Sequence, residues 1–468
     1  MPDVGGFQGE KAMRPIETPR PARRHAGAFI LMSLLLAVGA TGVMPGLSAA
    51  SSCEPDGVQP GGAIYRVCMP DAGRWNGDLV IWAHGYVEST APLAIPEEQL
   101  CLAPDFCLPT IINGLGFGFA TNSYRNNGLV TTGVEDVAEL VALFAAEQGS
   151  PRRVFLVGAS EGGLVTTLAV EQRPDLFDGG VAACGPIGDF RRIIDYYGDF
   201  RVVFDYFFPG LMPGTPMEVP PDLLDTWDEY WTNTIRPAIF DPANAGALSQ
   251  LLKVTRAPHD PGYIPTIEKT IHDALWYNVF ATADLVGKAG GAPYDNMTRR
   301  YMGSWNDTAL NAAVARYAAD PAALAFMDSL LSTTGLLTVP LVNLHTTKDQ
   351  QVGFVQEMLY GQKVRATGSM ANRIFIPSFR YGHCNFQPWE ALLGFALMVF
   401  KSSGAAPAGI EAMIADPAAR EAYHAAAASA GLPADPGAMT APAPAPAPLR
   451  AVTTTTRAAG TVRSLDSP

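Results

Sequence analysis

Short apolar runs that alternate with helical stretches are the feature that most constrains the fold of this chain. Runs of this length, bounded by turn residues, are typical of strands buried on both faces, and strand, helix and strand in succession predict a parallel sheet. Helices are expected near 134–144, 350–363 and 388–400, the first with a capping box of Thr132 and Glu135. The predicted strands are 63–69, 78–84, 117–123, 153–159, 179–185, 339–345 and 373–379.

The amino-terminal region does not belong to this pattern. In residues 1–50, three arginines precede an apolar run, and the small residues Ser48, Ala49 and Ala50 follow it. This order is typical of a secretory signal peptide, and the run falls short of the roughly 20 residues that a membrane anchor needs. We therefore expect cleavage near Ala50 and a secreted or periplasmic protein with no stable membrane span.

The rest of the chain divides by composition. Residues 51–185 and 336–403 carry the alternating pattern, whereas 186–335 are rich in aromatic residues, with 19 among the 116 positions from 190 to 305. We expect this middle part to be a helical cap inserted over a pocket, and the alternative is an ordinary helical subdomain with aromatics in its core. Residues 404–468 are rich in Pro, Ala and Thr. There we expect a short helix around 408–428 and a largely disordered, low-complexity tail.

The charge of the chain limits its partners. Lys and Arg number 32 against 45 Asp and Glu, which gives a net charge of −13. Such an acidic chain has no basic stripe with which to displace counterions, so nucleic acid is not an expected partner. No cofactor is predicted. No metal is expected either, because the sequence contains neither H-E-x-x-H nor a cluster of Cys and His at short spacings such as C-x₂-C.

The pentapeptide Gly158-Ala-Ser160-Glu-Gly162 carries the clearest chemical signal. It lies between a predicted strand and a predicted helix, where two glycines permit a sharp turn that exposes the Ser160 hydroxyl. The pattern G-x-S-x-G alone often occurs by chance. The predicted strand before it and the predicted helix after it make it informative. We interpret Ser160 as a nucleophile, and the alternative is a tight turn with a capping serine.

A serine nucleophile needs a base and an acid. Among the seven histidines, His383 follows the strand 373–379 in a turn ahead of the last predicted helix, from which it can reach Ser160. Asp349, after the strand 339–345, is the predicted acid, and the order Ser160, Asp349, His383 is the one this architecture uses. Asp189, after the preceding strand, is the alternative acid. The other histidines are His25, His84, His259, His272, His345 and His424.

Two backbone N–H groups are expected to bind the developing oxyanion. One belongs to Glu161, directly after the nucleophile. The other belongs to Tyr86, because His84-Gly85-Tyr86 turns tightly after the strand 78–84. Glycine also serves an ordinary turn at the end of a strand, which is the alternative for Gly85.

Six cysteines follow the predicted cleavage site. An even number in an exported chain indicates disulfides, and proximity favours Cys53 with Cys68 and Cys101 with Cys107. Cys53 also lies in a degenerate lipoprotein cleavage box, Ala50-Ser-Ser-Cys53, so lipidation at Cys53 is a less favoured alternative.

Together, His84-Gly85-Tyr86, the turn at Ser160, Asp349 and Gly382-His383 resemble the α/β-hydrolase superfamily over about residues 60–185 and 336–403. The resemblance implies a mostly parallel eight-stranded sheet flanked by helices, a cap between the sixth and seventh strands, and hydrolysis through an acyl-enzyme. The position of Cys384, directly after His383, resembles that of a cysteine in feruloyl esterases and tannases. In those enzymes a disulfide joins a cysteine before the nucleophile to one after the histidine. Ala159 occupies the first of these positions here, so we hypothesise that Cys184 pairs with Cys384 instead.

The resulting expectation is a secreted serine hydrolase that cleaves small-molecule or polymeric carboxylic esters, with apolar, aryl or polyester substrates favoured by the aromatic cap. A serine peptidase on the same fold is the first alternative. A non-catalytic binding protein is the second, and the presence of all three of Ser160, Asp349 and His383 counts against it.

Overall fold

The computed structural model describes residues 52–103 and 106–432. Within these ranges nine strands form the main sheet, eight of them in the order β1-β3-β7-β4-β8-β9-β10-β11, with β2 paired to β3 at the edge. The short strands β5 and β6 form a separate hairpin. The strands are β1 (Ser52–Cys53), β2 (Gly57–Val58), β3 (Ile64–Met69), β4 (Asp78–Ala83), β5 (Cys101–Ala103), β6 (Phe106–Cys107), β7 (Gly118–Asn122), β8 (Arg153–Ala159), β9 (Gly179–Ala183), β10 (Leu341–Lys348) and β11 (Arg373–Tyr381).

All seven predicted strands are confirmed, and the sheet is mostly parallel. Every pairing from β7 through β4, β8, β9 and β10 to β11 is parallel, whereas β3 runs antiparallel to its neighbours. The register places Ala83 of β4 beside Gly158 of β8, and Ala159 beside Ala183 of β9. The turns that follow these three strands therefore meet at one edge of the sheet.

Fourteen α-helices connect and cover the described strands. They are α1 (Leu108–Gly114), α2 (Gly133–Gln148), α3 (Glu161–Gln172), α4 (Phe190–Phe207), α5 (Pro221–Tyr230), α6 (Arg236–Ile239), α7 (Ala245–Thr255), α8 (Ile264–Tyr277), α9 (Ala283–Ala289), α10 (Asp307–Ala313), α11 (Pro321–Leu331), α12 (Val355–Ala366), α13 (Pro388–Ser403) and α14 (Pro417–Ser429). Helices α1, α13 and α14 pack on one face of the sheet, and α2, α3 and α12 pack on the other.

The capping box predicted for α2 is wrong. Thr132 is the N-cap residue, but its side chain makes no capping hydrogen bond and instead donates to Asp136 Oδ2 (2.9 Å). The carboxylate of Asp136 also pairs with Arg125, so the threonine hydroxyl is hydrogen-bonded to a paired carboxylate rather than to an N–H group at the start of the helix. A capping box forms at α13, between Gln387 and Glu390.

The boundary predicted for the carboxyl-terminal tail also needs correction. Residues 404–432 do not start a disordered tail, because Ile410, Met413 and Tyr423 are buried against α13. Helix α14 supplies enough apolar surface for this packing, although its sequence is dominated by alanine. The remainder of the predicted tail, 433–468, and the predicted signal peptide, 1–50, lie outside the described residues.

Helices α4 to α11 all lie between β9 and β10 in the chain. We call residues 190–331 the helical segment. Most of its buried apolar side chains belong to one hydrophobic cluster, rich in Phe, Trp and Tyr, which also contains Tyr86, Leu129 and Leu164 from the preceding part of the chain. Ile193 and Tyr197 form a separate small cluster with Val352. None of the described helices has the length and apolarity required to cross a bilayer.

Three disulfides join all six cysteines: Cys53–Cys68, Cys101–Cys107 and Cys184–Cys384. All three predicted pairings are confirmed. Lipidation at Cys53 is contradicted, because the sulfur atom that would carry the lipid is bonded to Cys68. Disulfides in this number are typical of a protein that folds in an oxidising compartment.

Candidate active site

Ser160 lies in the turn between β8 and α3, at the carboxyl edge of the sheet. Its backbone has φ 57° and ψ −123°, a conformation that few residues other than glycine adopt. The Ser160 N–H donates to the carbonyl of Ala183 at the end of β9 (2.8 Å), which holds the turn on the sheet. The turn therefore presents the serine hydroxyl at the mouth of the sheet, as the sequence predicts.

Gly158 and Gly162 are required by close backbone approach rather than by positive φ. A Cβ on Gly158 would lie 2.2 Å from the carbonyl oxygen of Gly162, and a Cβ on Gly162 would lie 1.9 Å from that of Ala83. Gly85 is also tight, since a Cβ there would lie 3.2 Å from Ser160 Cβ. The loop after β4 thus packs directly against Ser160.

Ser160, His383 and Asp349 are joined by hydrogen bonds. Ser160 Oγ donates to His383 Nε2 (2.8 Å), and His383 Nδ1 donates to Asp349 Oδ2 (2.8 Å), since a carboxylate oxygen can only accept. Asp349 is fully buried, and its Oδ1 accepts from the N–H groups of Gln351 and Val352 (both 2.9 Å). This arrangement can remove the serine proton and stabilise the imidazolium that results.

A second histidine lies behind Asp349. His345 is fully buried, with Nε2 2.8 Å from the carbonyl of Val352 and Nδ1 3.3 Å from Glu357 Oε1. Its Nε2 is also 3.5 Å from Asp349 Oδ2. Burial lowers the pKa of His345, but the hydrogen bond to Glu357 and the charge of Asp349 outweigh it, and the net pKa is raised.

The alternative acid, Asp189, is the N-cap residue of α4, where Oδ1 accepts from the N–H of Arg191 (3.1 Å). Its other oxygen lies 3.5 Å from Arg192 Nε. The hydrogen bond to His383 Nδ1 is made by Asp349, not by Asp189. His84 is buried with Nδ1 bonded to the carbonyl of Gly85 (2.7 Å), and burial lowers its pKa to about 4, so it stays neutral.

The two expected oxyanion donors flank the same cavity as Ser160. Glu161 is the first residue of α3, and an N–H in that turn has no partner within the helix. The N–H of Tyr86 takes part in no hydrogen bond between described residues. Gln99 fixes the loop that carries it, because its Oε1 accepts from the N–H of Gly85 (2.6 Å).

The side chain of Glu161 is unusual for its position. It is buried, Oε1 accepts from the N–H of Val130 (2.7 Å), and Oε2 has no hydrogen-bond partner among the described residues. Burial raises the pKa of Glu161 to about 8, against the lowering effects of the Val130 N–H and of Lys288. Glu161 is therefore largely a neutral acid at pH 7.

The Cys184–Cys384 disulfide joins the end of β9 to the turn that carries His383. Cys384 Sγ lies 3.5 Å from His383 Nε2. The sulfur atoms and a ring nitrogen of His383 lie within 4.8 Å of one another. A thiolate is the form that binds a metal ion, so bonded sulfur atoms do not fit a metal site, and the disulfide instead holds the histidine turn.

Two groups of hydrogen bonds fix the helical segment around the site, and we call them the clamp contacts. On one side, Leu129 N donates to Asp284 Oδ2 (2.7 Å), and Lys288 Nζ donates to the carbonyls of Asn127 (3.0 Å) and Leu129 (2.7 Å). These contacts hold α9 against the loop that follows β7.

The second group joins the helical segment to the residues after Asp349. Tyr196 and Tyr197 donate to the carbonyls of Gln350 (2.9 Å) and Gln351 (3.0 Å), and the side chains of both glutamines donate to Asp273 Oδ2 (2.8 Å each). Burial raises the pKa of Asp273, but contacts with His272 and Lys269 outweigh it, so the net pKa is lowered and the group stays charged.

The sequence analysis did not assign a role at the site to five residues. They are Gln99, His345, Asp273, Tyr196 and Tyr197. Only one of them had a usable signal: His345 ends a predicted strand at i and Asp349 follows at i+4, close enough for contact. The others act across long stretches of chain, such as the 154 positions that separate Tyr196 from Gln350.

A cavity of about 40 Å³ lies against Ser160. It is lined by Tyr86, Leu129, Ser160, Glu161, Pro186, Phe190, Ile193, Ile194, Tyr197, Tyr277, Ala281 and Val352. A larger cleft of about 690 Å³ lies on the opposite face of α4, with arginines and aspartates along it, and touches neither Ser160 nor His383. Its size makes it a candidate binding site, but it holds none of the groups that the chemistry needs.

Comparison with known proteins agrees with this architecture. The sequence model of the prolyl oligopeptidase family (peptidase family S9) matches residues 109–196, which run from α1 through the Ser160 turn into α4. This is under a fifth of the 468 residues. No curated protein sequence matches the chain significantly.

Solved structures with a similar fold include esterases, lipases and peptidases. Feruloyl esterase B from Aspergillus oryzae is 15% identical, with 74% of this chain and 79% of that chain covered and a TM-score of 0.39. Candida antarctica lipase A is 15% identical, with coverage of 75% and 77% and a TM-score of 0.38. Pyrococcus horikoshii acylaminoacyl peptidase is 12% identical, with coverage of 75% and 41% and a TM-score of 0.36, so this chain spans about two fifths of its length.

The strand order, the turn at Ser160 and the family match over residues 109–196 place this chain in the α/β-hydrolase superfamily. The family model matches the part of the chain that carries Ser160, and a hydrolase is the class of protein that this part resembles.

Proposed function

We propose that this chain is an exported serine hydrolase that cleaves carboxylic esters through an acyl-enzyme. The hydrogen-bonded series Ser160, His383 and Asp349 is the observation that carries the proposal. His383 Nε2 accepts the Ser160 proton as Oγ attacks the carbonyl carbon, and the N–H groups of Tyr86 and Glu161 bind the oxyanion. The protonated His383 then gives its proton to the departing alcohol oxygen.

Water completes the cycle. His383 Nε2 removes a proton from a water molecule, the resulting hydroxide attacks the acyl-enzyme, and the proton returns to Ser160 Oγ as the carboxylic acid leaves. Asp349 stays ionised and keeps the imidazole in the tautomer that carries a proton on Nδ1. The aromatic walls of the cavity favour apolar or aryl groups over charged ones.

Covalent labelling tests the proposal directly. Diethyl p-nitrophenyl phosphate should modify Ser160 of the purified chain, with p-nitrophenyl acetate turnover measured in parallel. Ser160→Ala should remove the label and lower turnover by about 10⁴-fold or more, with an unchanged circular dichroism spectrum. A folded wild-type protein that neither takes the label nor hydrolyses the ester would favour a non-catalytic binding protein.

Peptide cleavage is the second candidate function, and the match to the prolyl oligopeptidase family favours it. The same three side chains cleave amides on this fold. Turnover of p-nitrophenyl acetate against p-nitroacetanilide and aminoacyl p-nitroanilides separates the two. Ester turnover with no anilide turnover supports the esterase, and efficient release of p-nitroaniline from the aminoacyl substrates supports the peptidase.

Export is part of the proposal, and it is supported by the disulfides and by the signal pattern in residues 1–50. Sequencing the amino terminus of protein recovered outside the cytoplasm should give a residue close to Ser51. An unprocessed Met1 or Met13 would contradict it.

A further inference from the structure

We propose that the acyl pocket of this enzyme admits only short acyl groups, of about two to four carbons, so that the bulk of the ester belongs to its alcohol. This rests on the proposed function and narrows its substrate class to acetate-like esters of larger alcohols. The small size of the cavity against Ser160, and the packing of its walls, carry the proposal.

The cavity lies on the acyl side of the site. Ser160 and the two residues with oxyanion donors, Tyr86 and Glu161, line it, whereas His383 is not among its lining residues. His383 must protonate the departing alcohol, so the alcohol leaves on the histidine side. The part of the ester that points away from His383, into the cavity, is the acyl group.

The cavity is small for a ligand pocket. At about 40 Å³ it has room for about three water-sized groups, whereas pockets for drug-sized ligands measure about 300–1,000 Å³. A methyl or methylene group is close to a water molecule in size. An acetyl, propionyl or butyryl chain therefore fits, and an octanoyl chain does not.

The walls are held in place. Phe190, Ile193, Ile194 and Tyr197 come from one face of α4 and are all buried. The hydroxyl of Tyr197 is bonded to the carbonyl of Gln351 (3.0 Å), and the clamp contacts hold both sides of the helical segment on the sheet-bearing part.

The larger cleft of about 690 Å³ does not give a long acyl chain additional room. Helix α4 separates it from the cavity, since Asp195, Tyr196 and Asp199 of that helix line the cleft, and Ile193, Ile194 and Tyr197 line the cavity. A longer acyl chain reaches the cleft only if α4 moves and the contacts of Tyr196 and Tyr197 with the loop after Asp349 break.

These restrictions also bear on the kind of ester. In a polyester the acyl part continues into the polymer, and it is therefore much longer than the chain of about two to four carbons for which the cavity has room. We therefore infer that polyesters are not substrates and that the apolar or aryl group of the ester is carried by the alcohol.

A series of esters with one alcohol and different acyl chains tests the proposal. For the purified full chain, kcat/KM on p-nitrophenyl acetate, butyrate and octanoate should fall by at least about 100-fold from butyrate to octanoate. An octanoate rate equal to or above the acetate rate overturns the proposal, and means that the helical segment opens for long chains.

A pair of matched variants locates the limit. Ile194→Ala widens the cavity, and the octanoate-to-acetate ratio of kcat/KM should rise by about 10-fold. Ile271→Ala removes the same group from an equally buried site in the same hydrophobic cluster that does not line the cavity, and its ratio should stay at the wild-type value. An unchanged ratio in Ile194→Ala, or an equal rise in both variants, contradicts the proposal. Val352→Ala, which widens the cavity from the loop side, replaces Ile194→Ala if that variant does not fold.

Failure of the acyl limit and failure of the proposed function give different results. A protein that is labelled by diethyl p-nitrophenyl phosphate and hydrolyses octanoate readily is an esterase with a larger pocket. A folded protein that is not labelled and hydrolyses none of the three esters is not a serine esterase at all.

Discussion

At the carboxyl edge of the sheet, backbones approach one another at distances that only glycine permits, whereas the helical segment meets the same edge through aromatic rings and side-chain hydrogen bonds. Gly158 and Gly162 make these approaches, and Gly162 brings the turn that carries Ser160 against the end of β4. The helical segment instead relies on Tyr196, Tyr197 and their partners. The close backbone contacts at the sheet edge fix the positions of the reacting atoms. The side-chain contacts of the helical segment fix the size of the cavity beside those atoms.

The difference also decides what each region tolerates. A close backbone approach has no slack, so one added methyl group forces the backbone to move. Side-chain hydrogen bonds can be lost one at a time, each at about 1 kcal/mol, without rearranging the main chain. The sheet edge should therefore fail abruptly under mutation and the helical segment gradually.

The largest expected effect comes from a comparison of Asp349 and Asp189, the two candidates for the catalytic acid that the sequence offers. Asp349→Asn should lower kcat for p-nitrophenyl acetate by about 10⁴-fold, because the amide no longer holds the productive imidazole tautomer. Asp189 is the N-cap residue of α4, and Asp189→Asn should leave kcat within a few-fold of wild type. Steady-state kinetics with circular dichroism as a folding control distinguishes them, and a larger loss in Asp189→Asn would reverse the assignment.

Two buried carboxyl groups should give opposite pH dependence of stability. Glu161 at the sheet edge has its pKa raised to about 8 in the fold, so its contribution is fully present below its unfolded pKa and is lost as pH rises. The free energy of unfolding should fall by roughly 3 kcal/mol from this source between pH 5 and pH 8. Denaturant titrations of Glu161→Gln should show that this slope has disappeared.

Asp273 in the helical segment supplies the contrast. Its pKa is lowered in the fold, so its contribution is present above the unfolded pKa and is lost in acid. Asp273→Asn should therefore flatten the acid limb of the stability profile and leave the slope between pH 5 and pH 8 in place. If both variants change the same limb, the two sites are coupled and the comparison fails.

Two glycine substitutions compare the regions most directly. Gly162→Ala should destabilise the fold by about 3 kcal/mol or more, since the new Cβ would lie 1.9 Å from the Ala83 carbonyl oxygen. Gly287→Ala, at an open position in α9, should stabilise it by up to about 1 kcal/mol through helix propensity. Thermal unfolding of both variants decides; equal effects would show that the sheet edge can relax.

The smallest effect is expected at one clamp contact. Tyr197→Phe removes the hydrogen bond to the Gln351 carbonyl and keeps the ring that stacks on Tyr277. We expect a loss of about 1 kcal/mol in the free energy of unfolding and an unchanged preference for short acyl chains. A loss of chain-length preference in this variant would mean that the wall depends on this single bond.

The sheet edge was predictable because its constraints are local. Strand, glycine, serine, glycine and helix follow one another within a few residues, and Asp349 and His383 each come directly after a strand whose apolar run is legible. Parallel strands place such turns at one edge, which is why the sequence led to the three side chains that the structure brings together.

The sequence predicts that the helical segment is helical and rich in aromatic residues, but it does not predict which side chains contact the rest of the chain. Its helices and aromatic content follow from the sequence, yet the pairing of Asp273 with Gln350 and Gln351 joins positions 77 and 78 residues apart. Such contacts depend on how α8 docks, which no local spacing encodes. The tail boundary was missed for a similar reason, because an alanine-rich helix is buried only when a partner such as α13 is available.

The Cys184–Cys384 bridge also changes the topology of the chain as a whole. It closes a covalent ring that contains the entire helical segment, so a protease that cuts once between the two cysteines leaves the fragments joined. The bridge also shortens the path from Ser160 to His383. The chain separates them by 223 residues, but through the bridge the path is 24 residues to Cys184 and one from Cys384, about 25 in all. Even the unfolded oxidised chain therefore keeps nucleophile and base within the reach of a short loop, and the search that reunites them covers a small volume.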